Sequence, residues 1–141
     1  MSLRHATVAD IPQLALFNQQ LIQDEGHDSQ ASLIELEQRM TRWLSGPYVV
    51  ALIELGEEPV AFASWREDED GVYLRQFFVA REQRKSGVGR ATFALLDQLW
   101  RDQTVKLDAL LHNERALSFY RALGFADYSL VMRRLPTNAS R

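Results

Sequence analysis

Residues 71–100 combine a strand, a basic glycine turn and an amphipathic helix without interruption, and this combination limits the possible folds more than any other feature of the chain. Residues 72–79 are rich in aromatic and β-branched side chains, which favours an extended, at least half-buried strand. From Ser86 onward, apolar side chains recur at helical spacing. The turn between them therefore opens directly onto a helix N-terminus. The apolar positions of that helix are Val88, Thr92, Leu95, Leu96 and Leu99.

This turn has the properties of a phosphate-binding loop. The first N–H groups of a helix have no partner within it, and the positive end of the helix dipole favours an anion there. Gly87 and Gly89 remove side chains that would obstruct a phosphate, while Arg84, Lys85 and Arg90 add positive charge. The local sequence therefore predicts a binding site for a diphosphate.

The spacing excludes two common nucleotide sites. A mononucleotide P-loop requires G-x-x-x-x-G-K-[ST]. A dinucleotide site requires G-x-G-x-x-G early in a βαβ unit, with an acidic residue about 20 positions later. Neither pattern occurs in this chain.

Two motifs instead resemble those of the GNAT superfamily of acyl-CoA-dependent N-acyltransferases. Arg84-x-x-Gly87-x-Gly89 is similar to its coenzyme A pyrophosphate motif, [RQ]-x-x-G-x-[GA]. After a predicted strand at 105–111, residues 113–125 are similar to the later motif N-x-x-A-x-x-[FL]-Y-x-x-x-G-F. This second segment also makes sense physically, because Asn113 is a good N-cap and Gly124 suits the left-handed position after a helix.

The resemblance covers nearly the whole chain and implies an α/β (α+β) fold. We expect a mixed, mostly antiparallel central sheet, flanked by helices, in which strands 4 and 5 splay apart. The chain should form one domain, 1–141, with a frayed tail at 136–141. Asp10 should cap the first helix, and Tyr73 and Arg75 should share a face of strand 4 with Phe77. The predicted strands are 3–7, 48–55, 59–66, 72–79, 105–111 and 126–134, with helices starting near 10, 33, 87 and 113 and the first ending before Gly26.

The resemblance implies acetyl-CoA as the cofactor and assigns residues to it. Backbone groups near Phe77, Phe78 and Val79 should hold the pantetheine arm and the acyl carbonyl. Asn113 is expected to contact the cofactor, and Tyr120 is expected to contact it and to protonate the departing thiolate. The residues assigned to the pyrophosphate are Arg84, Lys85, Ser86, Gly87, Val88, Gly89 and Arg90.

The acceptor side departs from the family pattern. Some members have a glutamate as general base on strand 4, at the position of Tyr73 here. Tyr73 and Arg75 are therefore expected to line the acceptor pocket without acting as bases. In the segment after the first helix, His27 can serve as a base, and Asp24 and Glu25 can bind an ammonium group. We predict no metal site, because this single histidine lacks a specific ligand spacing.

Composition limits the remaining possibilities. The 141 residues carry a net charge of −3 without a basic tract, which argues against nucleic acid as the main partner. No segment has 18 uninterrupted apolar residues, and the N-terminus lacks a signal-peptide pattern, so we expect a cytoplasmic protein with no membrane partner. The absence of cysteine excludes disulfides and a cysteine acyl-enzyme. The resemblance is also compatible with a homodimer.

These observations favour an acetyl-CoA-dependent N-acetyltransferase. The expected reaction is direct attack by the primary amine of a small molecule in a ternary complex. A peptide or protein amine is the alternative acceptor. A non-catalytic domain that senses CoA or acetyl-CoA is the alternative from a different class, motivated by the missing glutamate on strand 4.

Overall fold

The computed structural model describes residues 1–25 and 31–137. The chain divides into two compact units, Met1–Leu110 and Leu111–Arg141. That the whole chain is one domain stays a prediction. The second unit contains the helix α4 (Glu114–Ala122). The first unit contains two short 3₁₀ turns, Val8–Asp10 and Arg81–Gln83, and the elements β1 (Ser2–His5), α1 (Ile11–Asp24), α2 (Leu33–Leu44), β2 (Val49–Leu55), β3 (Glu58–Asp68), β4 (Gly71–Val79), α3 (Val88–Trp100) and β5 (Val105–Leu107).

The five strands form one sheet in the order β1-β2-β3-β4-β5, antiparallel except for the parallel β4–β5 pair. This confirms the predicted mixed, mostly antiparallel sheet. β5 is shorter than the predicted 105–111 and pairs only with residues 72–74 of β4. The rest of β4, residues 75–79, continues without a partner from β5, so this pair of strands separates as predicted.

Helices cover both faces of this sheet within the first unit. α1 and α2 pack on one face, where Leu14 and Met40 join Phe62 and Phe78 in a fully buried cluster. The alternate strand residues, Ile53 and Ala61 among them, turn to the opposite face and pack with Val88 and Leu95 of α3. Because successive side chains of a strand point to opposite faces, the same strands contribute to both cores.

The inner face of α3 differs partly from the sequence expectation. Phe93 and Trp100 are buried, and their rings stand edge-on at 5.7 Å. Leu99, expected on the apolar face, is 46% exposed. The larger aromatic rings bury more apolar area, so they determine which face of the helix packs inward.

A β-bulge in β4 corrects the predicted facing of its side chains. Ser64 pairs with Gln76 but Trp65 pairs with Leu74, so Arg75 is an extra residue in β4. The guanidinium of Arg75 lies 5.9 Å from the Trp43 ring of α2. Phe77 instead packs edge-on against Phe93 of α3, at 5.4 Å. The expectation that Arg75 and Phe77 share a face was wrong, because a bulge shifts the alternation by one residue.

The start of α1 also differs from the prediction. Asp10 makes no side-chain cap of α1. Its carboxylate instead accepts a hydrogen bond from the Thr7 backbone N–H at 2.8 Å and closes a capping box on the preceding 3₁₀ turn. Asp10 also receives two hydrogen bonds of 2.8 Å from Arg4. The carboxylate thus stabilises the turn before α1 and ties it to β1.

The second unit confirms one predicted helix and corrects one predicted strand. Asn113 caps α4 by accepting from the Ala116 N–H at 3.2 Å, and Gly124 has φ +100°. Residues 126–134 form no strand. A strand requires a paired neighbour, and residues 111–137 include no strand that could pair with this segment. No helix in the described part of the chain is long and apolar enough to cross a membrane.

Candidate functional site

The turn between β4 and α3 has the geometry of an anion-binding loop. Gly87 is the N-cap of α3 with φ +83°, in the left-handed region that favours glycine. Lys85, two residues earlier, is also left-handed, with φ +69°. A Cβ built on Gly87 would meet no atom within 4 Å, so the space in front of the helix N-terminus is open. The turn therefore offers room for a phosphate next to the first N–H groups of α3.

Arg84 is anchored in this turn rather than mobile. Its Nε donates to the Val79 carbonyl oxygen at 2.9 Å, and its Nη2 donates to the Asp24 carboxylate at 2.6 Å. The guanidinium lies 5.1 Å from the centre of the Phe78 ring. With its side chain only 16% exposed, Arg84 joins the end of β4 to the end of α1. These contacts give Arg84 a structural role, because they hold the turn in place.

Asp24, predicted to bind the acceptor, has both carboxylate oxygens engaged. Oδ2 accepts from Arg84, and Oδ1 accepts from Arg81 Nε and Nη2 at 3.2 and 3.0 Å. Arg81 also donates to Gln23 Oε1 at 3.1 Å. This arrangement makes Asp24 the counter-ion of the turn that follows β4. Its acceptor role stays a prediction.

The other polar side chains predicted to bind a diphosphate differ in whether they already interact with protein groups. Lys85 is exposed. Ser86 donates its hydroxyl hydrogen to the Gln83 carbonyl at 2.7 Å, so the hydroxyl stabilises the turn itself. Arg90, at the first turn of α3, is exposed but already takes part in an interaction.

The side chains at the end of β4 pack in the core, and the role of its backbone in holding the cofactor stays a prediction. Phe78 is buried against Phe17, with 5.3 Å between ring centres, and Phe77 packs against Phe93. Val79 packs at the edge of the α3-side core. Because β5 ends at Leu107, one edge of residues 75–79 carries backbone groups that no β5 residue pairs with.

Tyr73 and Arg75 lie on the α2 side of β4 and β5. The Tyr73 hydroxyl donates to Asp108 at 2.8 Å, and the Arg66 guanidinium lies 4.8 Å from the centre of its ring. Burial, and then the hydrogen bond to Asp108, raise the pKa of Tyr73 above its usual value near 10. Tyr73 is therefore protonated at neutral pH, and this supports the expectation that it is not a base.

A polar network on the same face was missed from the sequence. Asn18 of α1 is completely buried and donates to Gln76 Oε1 at 2.6 Å. Its Oδ1 accepts from Arg39 Nη1 of α2 at 3.2 Å. In the sequence, Asn18 could have been noticed as a polar residue among the apolar positions of α1. No pattern in the sequence identified Gln76 or Arg39.

The remaining predicted residues are described one by one. His27 falls outside the described residues. Glu25 follows α1, and its N–H donates to the Leu21 carbonyl at 2.9 Å. Asn113 and Tyr120 belong to the second unit, where the Tyr120 ring packs against Phe119 at 5.3 Å and Phe125 at 5.6 Å. The structure thus groups Asp24, Arg84 and the Gly87 turn, and separately Tyr73 and Arg75.

A family comparison agrees with these features. The model described as the acetyltransferase (GNAT) family matches residues 14–125, which include the Gly87 turn and α4. No curated protein sequence matches the chain significantly.

Solved structures share the fold at low sequence identity. The BH1408 protein of Bacillus halodurans, as a tetramutant, is 23% identical over 96% of this chain and 99% of its own, with a TM-score of 0.81. A ribosomal-protein-alanine N-acetyltransferase of Brucella melitensis is 22% identical over 92% and 86%, with a TM-score of 0.71. The aminoglycoside N-acetyltransferase AAC(6')-Iy, in complex with CoA, is 15% identical over 96% and 94%, with a TM-score of 0.75.

Proposed function

The chain belongs to the GNAT acetyltransferase family, whose enzymes use acetyl-CoA, and we propose that it acetylates the primary amine of a small molecule by direct attack in a ternary complex. The observation that carries this proposal is the open, left-handed turn at Gly87, at the N-terminus of α3 and at the end of the separating strand β4. The thioester supplies the activated acetyl group.

The turn is proposed to hold the diphosphate of the cofactor. The N–H groups of the first turn of α3 point toward the open space at Gly87, and the helix dipole favours negative charge there. Lys85 and Arg90 add positive charge from the rim. Arg84, held by Asp24 and the Val79 carbonyl, keeps the turn fixed against α1 and β4. A fixed turn does not have to be ordered when the ligand binds.

The edge of β4 is proposed to position the reacting carbonyl. Residues 75–79 have backbone groups that β5 does not pair with, and an extended ligand can use these as an added strand would. A backbone N–H in this segment can stabilise negative charge on the carbonyl oxygen during attack by the amine. One such donor typically contributes about 10²–10³-fold in rate.

Tyr120 is proposed to give its proton to the departing thiolate. A phenol of pKa near 10 transfers a proton to a thiolate whose conjugate acid has a pKa near 8.5 only when it is positioned for it. General acid help of this kind contributes about 10²–10⁴-fold. His27 stays the predicted base, with Glu25 and Asp24 predicted near the acceptor amine.

A transfer assay tests the activity. The purified chain is mixed with acetyl-CoA and a panel of amino acids, amino sugars, polyamines and peptides, and free thiol and acetylated product are both measured. We expect at least one small amine to be acetylated. Acetylation of peptide N-termini without any small amine would favour the alternative acceptor. Binding of acetyl-CoA without transfer to any amine would favour the sensor alternative.

Substitution of Gly87 tests the cofactor site. Gly87→Glu places a carboxylate where the diphosphate is proposed to bind, and we expect it to abolish acetyl-CoA binding in calorimetry. Gly56→Glu is the matched control, because Gly56 is also left-handed and also has no atom near its Cβ position, but lies in the β2–β3 turn. Normal binding by the Gly87→Glu variant would contradict the assignment.

Tyr120→Phe tests the acid. We expect kcat to fall by about 10²-fold or more while the Kd for acetyl-CoA changes little, because only the proton donor is removed. Tyr128→Phe, in the same unit, is the control. An unchanged kcat for the Tyr120→Phe variant with a good acceptor would exclude the role.

A further inference from the structure

We propose that the acceptor amine carries an anionic group, a carboxylate or a phosphate, which binds between Arg39 of α2 and Arg75 of β4. This inference rests on the proposed function, because it concerns the molecule that receives the acetyl group. It narrows the acceptor to amino acids or phosphorylated amines and disfavours polyamines.

Arg39 is held in place by buried groups. It is partly buried on α2 and donates to Oδ1 of the fully buried Asn18 at 3.2 Å. Asn18 in turn donates to Gln76 of β4 at 2.6 Å. A long side chain fixed by such a network loses less conformational entropy when it binds a ligand. The network thereby directs a cation toward the bulge of β4, where Gln76 follows Arg75.

Arg75 is held by an aromatic ring and by a neighbouring tyrosine. Its guanidinium lies 5.9 Å from the centre of the Trp43 ring, one turn along α2 from Arg39. Contact with the face of an aromatic ring stabilises a guanidinium without using its N–H groups. A side-chain hydrogen bond joins Arg75 to the Tyr73 hydroxyl. The N–H groups that remain form part of a planar fork that matches a carboxylate or a phosphate.

The two cations lack an acidic partner. Across residues 1–25 and 31–137, neither Arg39 nor Arg75 takes part in an ion pair. Asp108, an acid on this face, accepts a hydrogen bond from Tyr73. Burial, and then the positive charges of Arg75 and Arg42, lower the pKa of Arg39, although an arginine still keeps its charge at neutral pH. An anion between Arg39 and Arg75 would relieve this repulsion.

The position along β4 fits a small acceptor. Arg75 precedes residues 77–79, proposed to position the acetyl group, by two to four residues on the same strand. At about 3.3 Å per residue this is about 7–13 Å, which side chains shorten further. An amine and an anionic group separated by a few bonds can therefore occupy the two positions together.

Matched acceptors test the inference. One arm compares amino acids with their amides, and a second compares amino sugars with their phosphates, so that carboxylate and phosphate are distinguished. We expect the anionic member of at least one pair to have the lower KM by about 10- to 100-fold, the range that loss of charge-assisted hydrogen bonds produces.

Substitutions test the residues. Arg39→Gln and Arg75→Gln should each remove most of that preference while the KM for acetyl-CoA is unchanged. Arg101→Gln is the control, because Arg101 is exposed at the far end of α3. Equal KM values within both pairs, or an equal loss for charged and neutral acceptors in the variants, would overturn the inference.

Calorimetry on the CoA-loaded chain separates this inference from the proposed function. Suppose that no amine is acetylated, but that the anionic member of a pair binds more tightly than its neutral counterpart and Arg75→Gln abolishes this difference. That result would reject the proposed function and leave the anionic subsite in place. Equal binding of both members, with or without transfer, would reject the anionic subsite.

Discussion

Gly71 occupies a position where the backbone conformation and the surrounding space both require glycine. Its φ is +115°, and an added Cβ would fall far inside contact distance of the Thr104 carbonyl oxygen. That carbonyl accepts the Val72 N–H at 2.8 Å where β4 meets β5. We expect Gly71→Ala to lower the free energy of unfolding by about 1–3 kcal/mol or more, because strain and overlap act together.

Chemical denaturation checks this expectation. Gly56→Ala is the matched control, since Gly56 has φ +66° but no atom within 4 Å of its Cβ position. It should cost less, about 1–2 kcal/mol from the left-handed backbone alone. Equal losses for the two variants would show that overlap with Thr104 contributes nothing.

Asp10 makes the free energy of unfolding depend on pH in the acid range. The hydrogen bonds from Arg4 lower the pKa of Asp10 from 3.8 to about 2. A carboxyl with a lowered folded-state pKa contributes stability that is present above its unfolded pKa and is lost as the pH falls toward its folded value. Asp10→Asn should therefore be less stable than the unsubstituted chain at pH 7, and the difference should shrink between about pH 4 and pH 2.

Denaturation at pH 7, 4, 3 and 2 measures this difference. Glu57→Gln, in the exposed β2–β3 turn, is the control and should show no comparable effect. A stability difference for the Asp10→Asn variant that stayed constant from pH 7 to pH 2 would mean that the Arg4 interaction does not stabilise the fold.

The C-terminal end of α1 and the turn after β4 are joined by one carboxylate. Asp24 accepts hydrogen bonds from Arg81 and Arg84 at 2.6–3.2 Å, and its side chain is 25% exposed. Asp24→Asn removes the charge shared by both arginines. We expect it to lower the free energy of unfolding by about 1–2 kcal/mol, less than a fully buried network because solvent screens part of the interaction.

Thermal melting of the apo protein checks this estimate, since no acceptor is present. Asp127→Asn is the contrasting variant, because the Asp127–Arg121 pair is exposed on both sides, at 73% and 52%, and should change stability little. If Asp24→Asn changed only the KM for the acceptor and not the melting temperature, the predicted acceptor role would be favoured over the structural one.

At the scale of the whole molecule, acetyl-CoA should stabilise the fold by mass action. A ligand at a hundredfold excess over its Kd adds about 2.7 kcal/mol to the free energy of unfolding. We expect a corresponding rise in melting temperature with acetyl-CoA, growing with its concentration, and none for the Gly87→Glu variant. Absence of a shift in the unsubstituted chain would reject both the enzyme and the sensor alternatives.

Local features of the fold could be predicted because neighbouring residues determine them. Apolar periodicity located α1, α2 and α3, Asn113 identified the cap of α4, and the glycine turn marked the start of α3. Hydrogen bonds and backbone conformations within a few residues are fixed by the side chains at those positions. Residues 126–134 show the limit of this reasoning, because apolar alternation predicts a strand only if another segment pairs with it.

The sequence by itself determined the family, the order of most elements and the turn proposed to bind the cofactor, because these depend on short-range spacing. Only the tertiary structure decided which side chains meet. Asp24 and Arg84 are 60 positions apart, and Asn18 and Gln76 are 58 apart. The bulge at Arg75 also depended on pairing with β3. Such contacts depend on how helices and strands pack and pair, which local composition does not encode, so the network that places Arg39 near Arg75 emerged only from the folded chain.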